Sequence, residues 1–215
     1  MIYLPAVAYS EEEVDFVRQF AASAPKLSSY WADDACSAIK STIKHHYRVA
    51  QGSVCCYCRQ IIPIKHGRVW DAEHIVPRAS RPEFMFTPQN LALSCPDCNG
   101  PKSNTPTLVD PLVATYPTTG DAFLIVHPHF DDYADHIEVG NYTYAPVPGS
   151  DKGAWTIANC NLLRFAGQEF GWPEPIADER YENLVDAVFD GDPTSAQEVG
   201  ERLRNGIESS DPSAP

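Results

Sequence analysis

The sequence predicts an α+β protein in three stretches. These are an N-terminal helical segment over residues 1–52, a small metal-knuckled core over 53–110, and a hairpin with further helices over 111–215. Three observations predict it. Apolar residues recur every four positions at Trp31, Ala35, Ile39, Ile43 and Tyr47, the pattern of one buried helical face. Two Cys-x2-Cys pairs, Cys55/Cys58 and Cys95/Cys98, have the spacing at which a tight knuckle offers two thiolates to a tetrahedral Zn2+. Residues alternate in polarity after Gly140-Asn141, which is a hairpin signal.

The first helix is predicted from Glu11 to about Ala22. Ser10 is its N-cap, and Glu13 sits at the third helical position, completing a capping box. The second helix is predicted over 29–50 and ends at Gly52. Lys40, Lys44 and Arg48 form a basic stripe beside its apolar face, either a solvated surface or a ridge that touches phosphates. After the knuckled core, the Pro- and Thr-rich stretch 111–119 is a connector and 121–126 a buried strand. Residues 136–139 and 142–147 pair as the hairpin, and 149–153 form a polar turn. Helices are predicted over 156–170, 175–189 and 195–207.

Composition bounds the function classes. Hydrophobic residues make up 43% and charged residues 21% of the 215, an ordinary globular balance that excludes a disordered, collagenous or coiled-coil chain. No apolar run reaches the roughly 20 residues that span a bilayer. Residues 1–5 lack the basic and apolar regions of a signal peptide, so a cytoplasmic protein without a membrane partner is expected. The seven cysteines are odd in number, which argues against a disulfide framework. The net charge of −13 argues against a general nucleic-acid binder, but it is unevenly spread. Residues 40–104 hold nine basic and four acidic side chains, a net of +5, and the rest of the chain carries −18.

The 36 residues between Cys58 and Cys95 are too many for a plain zinc ribbon, whose pairs stand roughly 15–20 apart. The insert contains Trp70-Asp71-Ala72-Glu73-His74-Ile75-Val76-Pro77 and Asn90-Leu91, and Asn99-Gly100-Pro101-Lys102 follows the second pair. An acid-His pair with a nearby Pro, an Asn-Leu step and a Cys-x2-Cys-Asn-x2-Lys ending, in that order, resemble the HNH, or ββα-metal, nuclease family. The resemblance covers residues 53–104. It implies a first strand over 68–74, a second over 91–94, and a short helix over 98–104 clamped by a structural Zn2+ on Cys55, Cys58, Cys95 and Cys98. It also implies His74 as general base for hydrolysis of DNA, with Glu73 and Asn99 binding a catalytic Mg2+ or Mn2+. Asp71 would add a third contact, direct or through water. Asn90 would tie the loop and orient His74, and Lys102 would contact the phosphate. Regular strand alternation sends Glu73 and His74 to opposite sides, so the family geometry needs a twist there.

Cys36, Cys56 and Cys160 are read as core or packing residues, and His127, His129 and His136 as structural. His66 is a weaker DNA-contact candidate. The stretch 130–138, with Thr156-Ile157 and Asn161-Leu162-Leu163-Arg164, resembles the HNH nuclease subunits of the Septu anti-phage system and of retron-associated systems. That resemblance implies a defence role and a protein partner, an ABC-type ATPase. The alternatives are a stand-alone HNH nuclease, toxin or DNA-processing enzyme, and a non-catalytic zinc-binding interaction module.

Overall fold

The computed structural model describes residues 4–62, 70–140 and 143–166. The helices predicted beyond residue 170, the end of the one predicted over 156–170, and His66 lie outside them. The described residues divide into two compact units. One holds 4–62, 70–123 and 127–131, and the other holds 124–126, 132–140 and 143–166.

In the first unit, helix α1 (Glu11–Ala22) begins at the predicted capping box. The Glu13 amide donates to Ser10 Oγ at 3.3 Å, and the Ser10 amide donates to Glu13 Oε2 at 2.9 Å. Its inward face carries Phe16 and Phe20, whose rings meet Phe86 at 5.6 and 5.0 Å.

Helix α2 runs Ser37–Ala50, starting eight residues later than predicted. Residues Ser28–Ala32 and Asp34–Cys36 instead form two 3-10 turns. The cause is local. Asp33 is extended, and its carboxylate accepts the Ala35 amide at 2.9 Å, a turn that competes with helix. Trp31 and Ala35 therefore leave the buried stripe, while Ile39, Ile43 and Tyr47 keep it.

Strand β1 (Asp71–His74) pairs antiparallel with β2 (Leu91–Ser94), Asp71 opposite Ser94 and His74 opposite Leu91. Helix α2 lies against both strands, so the boundary expected at residues 52 and 53 falls inside this unit. Gln51, just past α2, acts as a strand surrogate. Its side chain accepts from the Leu93 amide at 2.7 Å and donates to the Leu93 carbonyl at 2.9 Å. Helix α3 (Pro96–Lys102) starts two residues earlier than predicted because Pro96 suits the first helical position. It ends at Ser103, which has φ +44°.

The strand expected over 121–126 does not form. Gly120–Ala122 is a 3-10 turn, and only Phe123 makes a β-bridge, to Leu108. In the second unit, β3 (Ile137–Val139) and β4 (Tyr144–Pro146) form the predicted hairpin. Helix α4 (Asp151–Asn159) begins inside the expected polar turn, five residues before the helix expected from 156, and ends at 159. Ser150 caps α4 by accepting the Gly153 amide at 3.1 Å. Position 153 must be glycine, since a Cβ there would lie 2.0 Å from the His136 carbonyl oxygen. Asn161, at φ +52°, leads into a 3-10 turn, Leu162–Phe165.

Candidate functional site

Cys55 and Cys58 lie in the turn after α2, where Arg59, at φ +58°, folds the chain back so that Val54 bridges Ile61. Cys95 precedes α3 and Cys98 lies in its first turn. Their four Sγ atoms all fall within 4.8 Å of one another, and every one of the four residues is buried. Cys58 and Cys95 Sγ are 3.9 Å apart, close to the roughly 3.8 Å edge of a tetrahedron with 2.3 Å Zn–S bonds. The Cys95 amide donates to Cys55 Sγ at 3.3 Å, the N–H···S bond typical of a thiolate ligand. The thiols of Cys56, Cys58, Cys95 and Cys98 donate toward Cys55 and hold it well below the usual thiol range. Donating to Cys55 pushes Cys58 and Cys98 upward. Four buried sulfurs this close cannot all ionise without a cation among them, and Zn2+ fits the donor set. Cys56 is buried beside them, its amide bonded to the Leu93 carbonyl at 3.0 Å.

The knuckle also reaches the strand that carries the acid-His pair. Tyr57, buried between Cys56 and Cys58, donates its hydroxyl to Glu73 Oε1 at 2.9 Å. Lys102 Nζ lies 2.6 Å from the same oxygen and also donates to the His74 carbonyl at 3.0 Å. Glu73 is 2% exposed and Lys102 1%. Burial pushes the Glu73 carboxyl above its ordinary pKa, and Lys102 and Tyr57 pull it back.

Two expectations change here. Lys102 is not free to touch a phosphate, because the buried Glu73 carboxylate consumes it. Glu73 makes no hydrogen bond to Asn99, because its Oε1 is taken by Lys102 and Tyr57. Asp71, nearer the rim, is the acid that meets Asn99, accepting from its Nδ2 at 2.9 Å.

His74 alternates to the other side of β1. Its ring stands edge-on to Trp31, with centroids 4.5 Å apart and planes at 83°. Nε2 lies 3.1 Å from the Met85 carbonyl oxygen, which can only accept, so Nε2 carries the proton and Nδ1 keeps the lone pair. Burial, then the charges of Arg78 and Lys102, push the His74 pKa down to about 3, so the imidazole is neutral at physiological pH. Asn90, fully buried, ties the loop behind it. Its amide accepts from Val76 N at 2.7 Å and donates to the carbonyls of Val76 and Phe84 at 3.2 and 3.0 Å.

Asp71, Glu73, His74 and Asn99 border a cleft of about 270 Å3 whose walls also include Trp31, Lys40 and Lys44. Two of the three cations in the α2 stripe thus face the cleft. Lys40 Nζ sits 5.6 Å over the Trp31 ring, and Lys44 donates to the Trp70 carbonyl at 2.8 Å. For a hard divalent cation the cleft offers the Asp71 carboxylate and the Asn99 amide oxygen, and Glu73 also lines it, with Oε1 already bonded to Lys102 and Tyr57. Sequence reasoning had Trp31 in the core and passed over Tyr57 and Arg78. Tyr57 could have been found from its place inside the knuckle, and Arg78 from its place directly after the motif proline.

His127 and His129 hold no metal pair. His127 is buried against Tyr116, Nε2 to Oη 2.9 Å, and His129 spans the carbonyls of Leu4 and Leu91, both at 2.8 Å. Among the described residues, the four cysteines form the one group of three or more His, Cys, Asp or Glu side chains close enough to share an ion. No helix among them is long and apolar enough to cross a membrane. Compared with known proteins, the chain matches no family model, no curated protein and no solved structure.

Proposed function

We propose that the protein is a metal-dependent endonuclease of the HNH type that hydrolyses phosphodiester bonds in DNA. The observation that carries this reading is His74. It is a neutral imidazole with its tautomer set by the Met85 carbonyl, and it borders a cleft that also holds Asp71, Asn99 and two lysines. A histidine kept neutral and oriented in this way is equipped to take a proton from water.

In this mechanism Nδ1 of His74 accepts the proton of the attacking water. Lys40 and Lys44 draw the phosphate into the cleft. Asp71 and Asn99 would hold Mg2+ or Mn2+, which when bound supplies charge neutralisation on the phosphoryl and leaving oxygens. Trp31 and Met85 keep the imidazole from turning, and the Lys102 bond to the His74 carbonyl holds its backbone. The zinc centre holds the hairpin and α3 together and, through Tyr57, braces Glu73. The sequence resemblance to the nuclease subunits of anti-phage systems supports a defence role beside an ABC-type ATPase.

A second reading, a non-catalytic zinc module that binds other macromolecules, is favoured by one observation. The Glu73 carboxylate, one of two in the cleft, is already paired with Lys102.

Incubating zinc-loaded protein with supercoiled plasmid and Mg2+ or Mn2+ separates the two. The nuclease reading expects nicking that His74→Ala abolishes while zinc content and melting stay unchanged. Nicking by His74→Ala at the normal rate would remove His74 from the mechanism, and no nicking by the parent protein in either metal would favour the binding module.

A further inference from the structure

A second cleft, of about 510 Å3, adjoins the first. Its walls include Ser28, Ser29, Gly100 and Ala79, and it shares Arg78, Asn99, Ser103 and Asn104 with the cleft at His74. We infer that Arg78, at the junction of the two clefts, binds a second backbone phosphate, so that the substrate is a phosphodiester chain laid through both rather than a single nucleotide. The inference rests on the nuclease reading for the identity of the anion.

Charge distinguishes the two clefts. The first carries carboxylates as well as cations, whereas the walls of the second hold hydroxyls, amides, backbone and one charge, that of Arg78. Among the described residues the Arg78 guanidinium makes no hydrogen bond or ion pair, and its Nε is buried without a partner. Its neighbours are differently placed. Arg81 is engaged by Glu83 and by the carbonyls of Pro111 and Val113. Lys102 is spent on Glu73, and Lys44 donates to the Trp70 carbonyl within the first cleft.

A half-buried guanidinium with no counter-charge is poorly satisfied by the protein alone. It presents the planar fork that matches two phosphate oxygens. The hydroxyls of Ser28, Ser29 and Ser103 and the Asn104 amide can serve the remaining phosphate and sugar oxygens without adding negative charge. A chain engaged at His74 reaches Arg78 without leaving a continuous wall, because four residues belong to both clefts.

The test uses the full-length, zinc-loaded protein in Ca2+. Binding of fluorescent oligothymidylates two and eight nucleotides long is followed by polarisation over a range of salt concentrations, for the parent, Arg78→Gln and Arg78→Lys. Zinc content and melting curves accompany each variant. Losing one phosphate contact lowers the slope of log affinity against log salt by about 0.7–1. We expect that loss in Arg78→Gln with the longer oligonucleotide, little change with the dinucleotide, and recovery of the slope in Arg78→Lys. Arg78→Gln with the parent's slope and length dependence, in a protein that still nicks plasmid, would overturn the role of Arg78 and leave the nuclease reading standing. Slope loss in a protein that cleaves nothing in Mg2+ or Mn2+ would keep the phosphate site and remove the nuclease. A parent protein that binds the longer oligonucleotide no better than the dinucleotide would overturn the inference.

Discussion

Lys102 shows how burial decides a residue's role. Its position in the motif suggests a phosphate contact, yet it is 1% exposed, with its charge 2.6 Å from a carboxylate that is itself 2% exposed. Lys102→Met would strand the Glu73 carboxylate in the interior. Removing one partner of a buried pair typically costs about 3–5 kcal/mol. Denaturant unfolding should therefore show a loss of that order, and Lys102→Met with Glu73→Leu should regain most of it, since a buried pair replaced by apolar side chains is often neutral. A Lys102→Met protein with parental stability and lost cleavage would instead return Lys102 to the phosphate. The types and spacing of Asp71, Glu73, His74, Asn90 and Asn99 were legible in the sequence. That Glu73 pairs with Lys102 and Asp71 with Asn99 was not, because it depends on how α3 packs along β1, a tertiary fact invisible in a four-residue strand.

Helix α3 is too short to stand alone. It has seven residues, including Gly100 and Pro101, far below the roughly 12–15 at which isolated helices become even marginal. The β1–β2 hairpin, four residues a side, is equally dependent on its surroundings. The four-cysteine centre supplies what propensity does not, by joining the turn after α2 to both ends of the first turn of α3. One zinc per chain is therefore expected by elemental analysis. Cys98→Ser should lose it and expose the β1 and β2 amides to rapid hydrogen exchange, since structural zinc contributes on the order of 10 kcal/mol in small modules. A folded parent protein with under half an equivalent of zinc would refute this. Elements with short-range causes were legible: the capping box starts α1, and paired strands flank Gly140-Asn141. Helix α2 was read too long because four-residue apolar spacing continued through Trp31 and Ala35, while the Asp33 turn that stops the helix is a single side-chain bond. Helix α4 was read too late because Ser150 was taken as part of a turn rather than as a cap.

Along the chain, net charge opposes the proposed substrate outside residues 40–104. Residues 40–104 carry +5 and the remainder −18, and half of that deficit lies in residues 167–215, where twelve acids face three arginines. A nuclease core with few cations neutralises few phosphates, so its own affinity for DNA is modest. The acids add a repulsion whose range is set by salt, about 30 Å at 0.01 M and about 8 Å at 0.15 M. Converting the twelve acids of 167–215 to their amides in the full-length chain changes no residue that forms the zinc centre or lines the His74 cleft. That variant should bind a short duplex more tightly than the parent at low salt, and the difference should shrink as salt rises toward 0.15 M. The screening argument requires this convergence, because a direct contact between those acids and the cleft would weaken far less with salt. Equal affinities for the two proteins at low salt would show that the acidic segment does not restrain DNA binding. The charge split would then no longer support a partner that brings the nuclease to its substrate.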